Sequence, residues 1–246
     1  MKFGYQLYSV HTAMKEDVHN TLVKMAELGY KQVEPCGFFD STPAEFRAWC
    51  DELGLEIPAA HYSPEIDSEE KFAEVVKIFK DLRCDKLVIP YKNCKTREEM
   101  DKLVDYINKW QPRLEENGIT LAYHNHSQEF KLNEDDMFMH IELKNRTKIR
   151  FEIDVFWCHY AGVNPLYVLE TLKDRIDLVH FRDGLTTQWP QEFRLLGEGT
   201  TPLKDVYNWA LKNGYDLIVE NVPTEEATSE LADAAACVDY LNNLGK

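Results

Sequence analysis

Carboxylates and imidazoles recur along this chain in one setting, at the end of a short apolar, β-branched or aromatic run. Gln32-Val33 leads to Glu34, and Ile57–Ala60 leads to His61. Thr120–Tyr123 leads to His124-Asn125-His126, with Glu129 three residues further on. Arg150–Ile153 carries Glu152 and ends at Asp154. Leu178-Val179 precedes His180, Arg182 and Asp183, and Asp216–Val219 precedes Glu220. Singly, each has an ordinary use: an acidic residue there caps the next helix, and a lone histidine is packed or solvated. Gathered in a dry site, the carboxylates would repel unless a cation lay among them. Carboxylates with imidazole and no thiolate suit Mn2+, Mg2+, Co2+, Fe2+ or Zn2+, with positions left open for substrate. The chemistry of such a set is Lewis-acid activation of an oxygen beside a general base.

Whether these residues meet depends on the elements that carry them. Eight strands are predicted: 2–7, 32–34, 56–61, 86–89, 120–124, 150–154, 178–182 and 216–220. Amphipathic stretches lie between them, at 17–28, 43–53, 69–82, 96–117, 165–172, 202–211 and 225–244, with a shorter one at 135–143. Ser41-Thr42-Pro43 places a capping residue before a first-turn proline. Leu28-Gly29-Tyr30, Leu53-Gly54-Leu55, Asn117-Gly118-Ile119 and Asn213-Gly214-Tyr215 repeat one helix-to-strand junction, where glycine takes a left-handed conformation cheaply.

Strands alternating with helices pair in parallel through crossovers. The repeat, about 31 residues, is the βα spacing of a TIM barrel, so the expected fold class is α/β, a single (β/α)8 barrel. An open doubly wound sheet usually shows a glycine-rich turn after its first strand, where this chain has Ser9-Val10-His11-Thr12. No linker rich in Pro, Gly or Ser divides the sequence, so one catalytic domain over 1–246 is expected. In such a barrel, residues two apart on a strand share a face, and the working side chains sit at strand C-termini. The ligand-capable strand ends would then surround one mouth.

Composition narrows the partners. The 246 residues carry 28 Lys and Arg against 43 Asp and Glu, a net charge of −15. That disfavours nucleic acid and anionic membrane surfaces, which need clustered cations. The apolar runs fall short of the ~18 residues of a membrane span, and the N-terminus lacks the apolar core of a signal peptide. The six cysteines form no CxxC pair and read as free thiols. The expectation is a cytoplasmic protein with a small-molecule partner. Exposed aromatics such as Trp189, Phe193 and Tyr240 could line a homo-oligomer contact or cover the barrel.

At these residues the chain resembles the sugar-phosphate isomerase/epimerase branch of the xylose-isomerase-like TIM-barrel superfamily. The segments that carry the resemblance are Gln6–Val10, Gly29–Glu34, Tyr123–His126 with Glu129-Phe130, Ile153–Trp157 followed by Tyr160–Pro165, Val179–Asp183, Gly197-Glu198-Gly199 and Val219-Glu220. They run in family order over nearly the whole chain. The resemblance implies a divalent ion, Mn2+ first, held by groups from strands five to eight. Asp154, His180 and Glu220 match three of them. On strand five many ketose epimerases have a glutamate where this chain has Ala122, and Glu129 is taken as the substitute, with His124 or His126 as alternatives.

The implied substrate is a keto-sugar, with the ion stabilising an enediolate. Glu220 would remove the proton α to the carbonyl, and Glu129 or His126 would act on the other face. Glu34, His61, His124, Trp157 and Arg182 would bind substrate, with His11, Phe38 and Glu198 as weaker candidates. Epimerisation or isomerisation is expected. The alternative is a lyase or dehydratase acting on a 3-keto-glycoside or inosose. A nuclease like endonuclease IV is disfavoured by charge, and a non-catalytic sugar-binding barrel leaves the carboxylates without a purpose.

Overall fold

A computed structural model describes residues 1–186, 191–221 and 229–244. The strands are β1 (Phe3–Gln6), β2 (Gln32–Glu34), β3 (Ala60–His61), β4 (Lys86–Ile89), β5 (Thr120–His124), β6 (Arg150–Asp154), β7 (Ile176–Phe181), β8 (Asp183–Leu185), β9 (Glu192–Arg194) and β10 (Leu217–Val219). Eight of them run parallel in the order β2-β1-β10-β7-β6-β5-β4-β3, while β8 and β9 form a separate antiparallel hairpin. The result is a nearly closed TIM barrel.

The remaining seam lies between β2 and β3. A single parallel bridge, Gln32 to Glu56, and the His61 N–H donating to the Pro35 carbonyl at 2.8 Å span it. The sequence predicted a longer third strand from Glu56. Pro58 interrupts it, since proline offers no N–H to a ladder, and only Ala60–His61 remains.

The crossover helices are α2 (Val18–Leu28), α3 (Pro43–Leu53), α4 (Glu69–Leu82), α5 (Arg97–Glu116), α6 (Met139–Arg146), α8 (Pro165–Leu172), α9 (Leu203–Asn213) and α10 (Glu230–Leu244). Thr42 and Thr96 start α3 and α5 as capping boxes with Glu45 and Glu99. Gly29 and Gly54 end α2 and α3 with φ of 102° and 67°, as the junction motif predicts. α6 begins later than the predicted Asp135, because the Asn133 side chain accepts the N–H groups of Asp135 and Met137 and holds a turn there. The predicted start of the last helix, at Glu225, lies outside the described residues.

Two short helices were not read from the sequence. One is α1 (His11–Glu16), and the other is α7 (Val155–Tyr160), which follows β6 directly. Val155-Phe156-Trp157 has strand-like composition, but the Asp154 carboxylate accepts the Trp157 N–H at 3.1 Å and turns the chain into a helix.

Strand alternation divides the buried side chains. Odd-numbered residues such as Tyr5, Val33, Leu121, Phe151, Val179 and Leu217 pack outward in the main core, between strands and helices. Inside the barrel, Ala59, Val88, Ala122, Leu178 and Ile218 form a small apolar plug. Gly4 belongs to this layer, since a Cβ there would come within 2.4 Å of the Ile218 methyl. Two residues further along the strands, the inward positions become Gln6, Glu34, His61, His124, Glu152, His180 and Glu220, all but His61 buried. The change from apolar to ionisable at one level marks the floor of a site at the C-terminal rim.

Candidate metal centre

His124, Asp154, His180 and Glu220 each offer a ligand atom within 4.8 Å of the others. Three of these were expected from strand ends six, seven and eight. The fourth place, from strand five, is filled by the His124 imidazole. Glu129 lies outside the group. Its Oε1 accepts from the Tyr123 hydroxyl at 2.7 Å, and its Oε2 accepts the His126 N–H at 2.8 Å. Burial pushes the Glu129 carboxyl up to about 7.

A second combination, His61, His124, Glu152 and His180, satisfies the same spacing and shares both histidines. The sequence places Glu152 on strand six without marking a role for it. The readable signal was its parity with Asp154, which aims both carboxylates inward. Glu34 joins the cluster from the far side, accepting from Gln6 Nε2 at 2.8 Å and from His180 Nε2 at 2.7 Å.

The electrostatics are those of a crowded, dry anionic site. Glu34, Glu152, Asp154 and Glu220 are all buried, and Arg182 is the fixed positive charge among the described residues that contact them. Its Nε donates to the Glu220 carbonyl at 2.8 Å, its Nη2 grips the Glu220 carboxylate, and its Nη1 stands 3.6 Å from Asp154 Oδ2. Arg182 thus orients the Glu220 carboxylate and faces that of Asp154, while Asp183, its neighbour, turns away.

Burial raises Glu34 to about 7 and Asp154 to about 6. Burial also pushes Glu220 upward, but Arg182 and His180 outweigh it and hold that carboxyl well below the ordinary range. Around His180 the order reverses: burial disfavours the imidazolium, yet Glu152 and Glu34 raise it well above its usual value. Desolvation lowers His124 to about 4 and His126 to about 2, so both are neutral bases at pH 7.

The residues present fit a divalent cation. Asp154 Oδ1 is committed to the Trp157 N–H, and Oδ2 is buried with no hydrogen-bond donor. Two carboxylates and two imidazoles, with no thiolate, form a donor set for Mn2+, Co2+, Fe2+ or Zn2+.

A cavity of about 570 Å3 opens over this centre, a volume suited to a small organic ligand. Glu220, His61, His124 and His126 line it, and Tyr8 and Tyr91 stand on its wall, 51% and 49% exposed. Cys36 also faces it, but burial pushes its thiol up to about 12, so it is no nucleophile at neutral pH.

Other expected contacts fall elsewhere. Trp157 is buried among Phe156, Tyr160, Phe193 and His126. Phe38 packs edge-on against Phe46. His11 lies 3.4 Å from Glu230, near the Tyr8 carbonyl. Glu198 is exposed on a loop that Asp183 anchors by accepting the N–H groups of Gly197, Gly199 and Thr201. Of the aromatics proposed for a subunit contact, Phe193 packs on Phe156 and Tyr240 lies against Gly197, while Trp189 is outside the described residues.

Comparison with known proteins places this geometry among relatives. A curated inosose dehydratase from Geobacillus kaustophilus is 24% identical over 186 residues, 66% of this chain and 60% of that protein. The chain thus matches less than two thirds of that relative's length. The solved structure of a sugar phosphate isomerase/epimerase from Parabacteroides distasonis superposes with a TM-score of 0.83 at 22% identity, covering 98% of each chain. The IolI protein, solved with a bound zinc atom, superposes with a TM-score of 0.75 at 15% identity, covering 99% of this chain and 98% of that one. The family model for the xylose isomerase-like TIM barrel matches residues 22–243, and the chain therefore belongs to that family.

Proposed function

We propose that this protein is a divalent-metal-dependent enzyme that removes the proton α to the carbonyl of a polyhydroxylated ketone, a keto-sugar or a cyclic inosose, and returns an epimer or isomer. The observation that carries this reading is the meeting of Glu220 and His126 in one cavity, beside a four-residue ligand set. His124, Asp154, His180 and Glu220 would hold the ion. When bound, the ion supplies Lewis acidity that stabilises negative charge developing on the carbonyl oxygen.

The protein's own groups do the rest. Arg182 keeps the Glu220 carboxylate ionised and fixed in direction. Glu220 takes the α proton, and His126, reaching the same cavity from the end of β5, relays a proton from solvent water to the other face while Glu220 returns its own to solvent. His61 and the half-exposed rings of Tyr8 and Tyr91 receive hydroxyls and the apolar face of the sugar. Glu129 serves this site indirectly, by fixing the His126 main chain.

The same first step followed by loss of a β-hydroxyl gives a dehydratase. The inosose dehydratase relative favours this second reading, in which the proton taken by Glu220 would leave with the departing hydroxyl as water. Product mass separates the two, since epimerisation conserves it and dehydration lowers it by one water.

The test is solvent-deuterium incorporation at the α carbon of keto-sugar and inosose substrates. Exchange should stop when a chelator removes the metal and return when Mn2+ is restored. Exchange that continues unchanged without metal overturns the reading. Glu220→Gln should fold and lose turnover by about 100-fold or more, in the range of a general base; full activity would remove Glu220 from that role.

A further inference from the structure

One oxygen of Glu152 gathers three imidazoles. Its Oε2 lies 2.5 Å from His61 Nε2, 2.9 Å from His124 Nδ1 and 3.1 Å from His180 Nε2. Glu152 is fully buried, two residues before Asp154 on the same face of β6 and one step deeper in the barrel. His124 and His180 each present their other ring nitrogen to the opposite side. His124 Nε2 is 3.9 Å, and His180 Nδ1 2.9 Å, from Glu220 Oε2. Both rings therefore stand between Glu152 below and Glu220 at the mouth.

A neutral imidazole has one N–H and one lone pair. If the nitrogen facing Glu152 carries the hydrogen, the lone pairs left are on Nε2 of His124 and Nδ1 of His180. Both lie on the side of Asp154 and Glu220. A ligating histidine commonly donates its other N–H to a carboxylate, which sets the tautomer and strengthens the ligand. Here Glu152 would do this alone for His124, at 2.9 Å, and jointly with Glu34 for His180, whose Nε2 lies 2.7 Å from Glu34 Oε2 and 3.1 Å from Glu152 Oε2.

We propose that Glu152 is a positioning residue for a single ion: it selects Nε2 of His124 and, together with Glu34, Nδ1 of His180 as ligand atoms, and does not ligate the ion itself. The inference rests on the metal reading above. The deeper combination that includes Glu152 has the spacing of a site, but Asp154 and Glu220 end their strands at the rim, where a substrate can share the ion.

Zinc supplies the probe, in two measurements on the full chain. Long-range nitrogen–proton NMR of the zinc-loaded protein should show zinc on Nε2 of His124 and Nδ1 of His180, with hydrogen on each partner nitrogen. Zinc on either opposite nitrogen overturns the proposal, whether or not any variant folds. Competition titration against a chromophoric chelator should give one zinc per chain. Glu152→Met removes the acceptor at similar size and should weaken binding by about 10–100-fold, and Glu152→Gln, which keeps an acceptor oxygen, by less. Unchanged affinity in a folded Glu152→Met protein overturns the role of Glu152 and leaves the metal site standing. Two zinc ions in the parent and one in Glu152→Met make Glu152 a ligand and also overturn it. No zinc bound by the parent overturns the metal reading itself.

Discussion

Glu129 shows how a motif can direct attention to the right residue with another task. Its spacing after His124-Asn125-His126 was legible, but the bonds that turn its carboxylate onto Tyr123 and the His126 main chain come from a 3₁₀ turn over Gln128–Phe130, and spacing alone does not reveal that turn. The outcome is measurable in stability. Burial raises this carboxyl to about 7, above its unfolded value, so the folded state holds its proton more tightly. The stabilisation is complete below the unfolded value and is lost as pH rises through about 7, a change on the order of 3 kcal/mol. Glu129→Gln mimics the protonated acid. Denaturant titration should find it more stable than the parent at about pH 8 and close to it at about pH 5. His180 predicts the opposite trend for metal: its proton must leave before it can ligate, so apparent Mn2+ affinity should rise with pH.

Among the elements, helices with capping residues were legible nearly to the residue, as Thr42 for α3 and Thr96 for α5 demonstrate. Elements whose cause is a side chain with a second role were not. Asp154 caps α7 while its other oxygen faces Arg182. Asp183 begins β8 and holds the loop after β9 through three main-chain N–H groups, of Gly197, Gly199 and Thr201, contacts between residues far apart in sequence. Gly199 is required in that cradle, because a Cβ would lie 2.2 Å from Asp183 Oδ1. Asp183→Ala leaves several buried donors unsatisfied, and thermal or denaturant unfolding should show a loss of at least about 3 kcal/mol. Gly199→Ala should fall in the same direction. A stability change within error for Asp183→Ala would mean the loop holds without its anchor.

For the molecule as a whole, the barrel was readable because eight strands alternate with helices and four of the returns share one glycine junction, and the meeting of the strand ends followed from closure. A ligand that binds only the folded chain stabilises it by mass action, about 2.7 kcal/mol at a hundredfold excess over the dissociation constant. Added Mn2+ should therefore raise the midpoint of thermal unfolding and a chelator lower it. The net charge of −15 predicts no retention on duplex DNA at low salt.

The seam between β2 and β3 has a further consequence. Most of the wall is a continuous ladder, but here Glu34 and His61 face each other across one bridge and a proline-interrupted segment. Local opening is cheapest where main-chain pairing is sparse, so amides of Val33 and His61 should exchange with deuterated solvent faster than those of Leu87 and Leu121. A wall that breathes at this point would give the enclosed acids a hydration path separate from the mouth, through which they could equilibrate protons while a ligand in the cavity blocks the entrance.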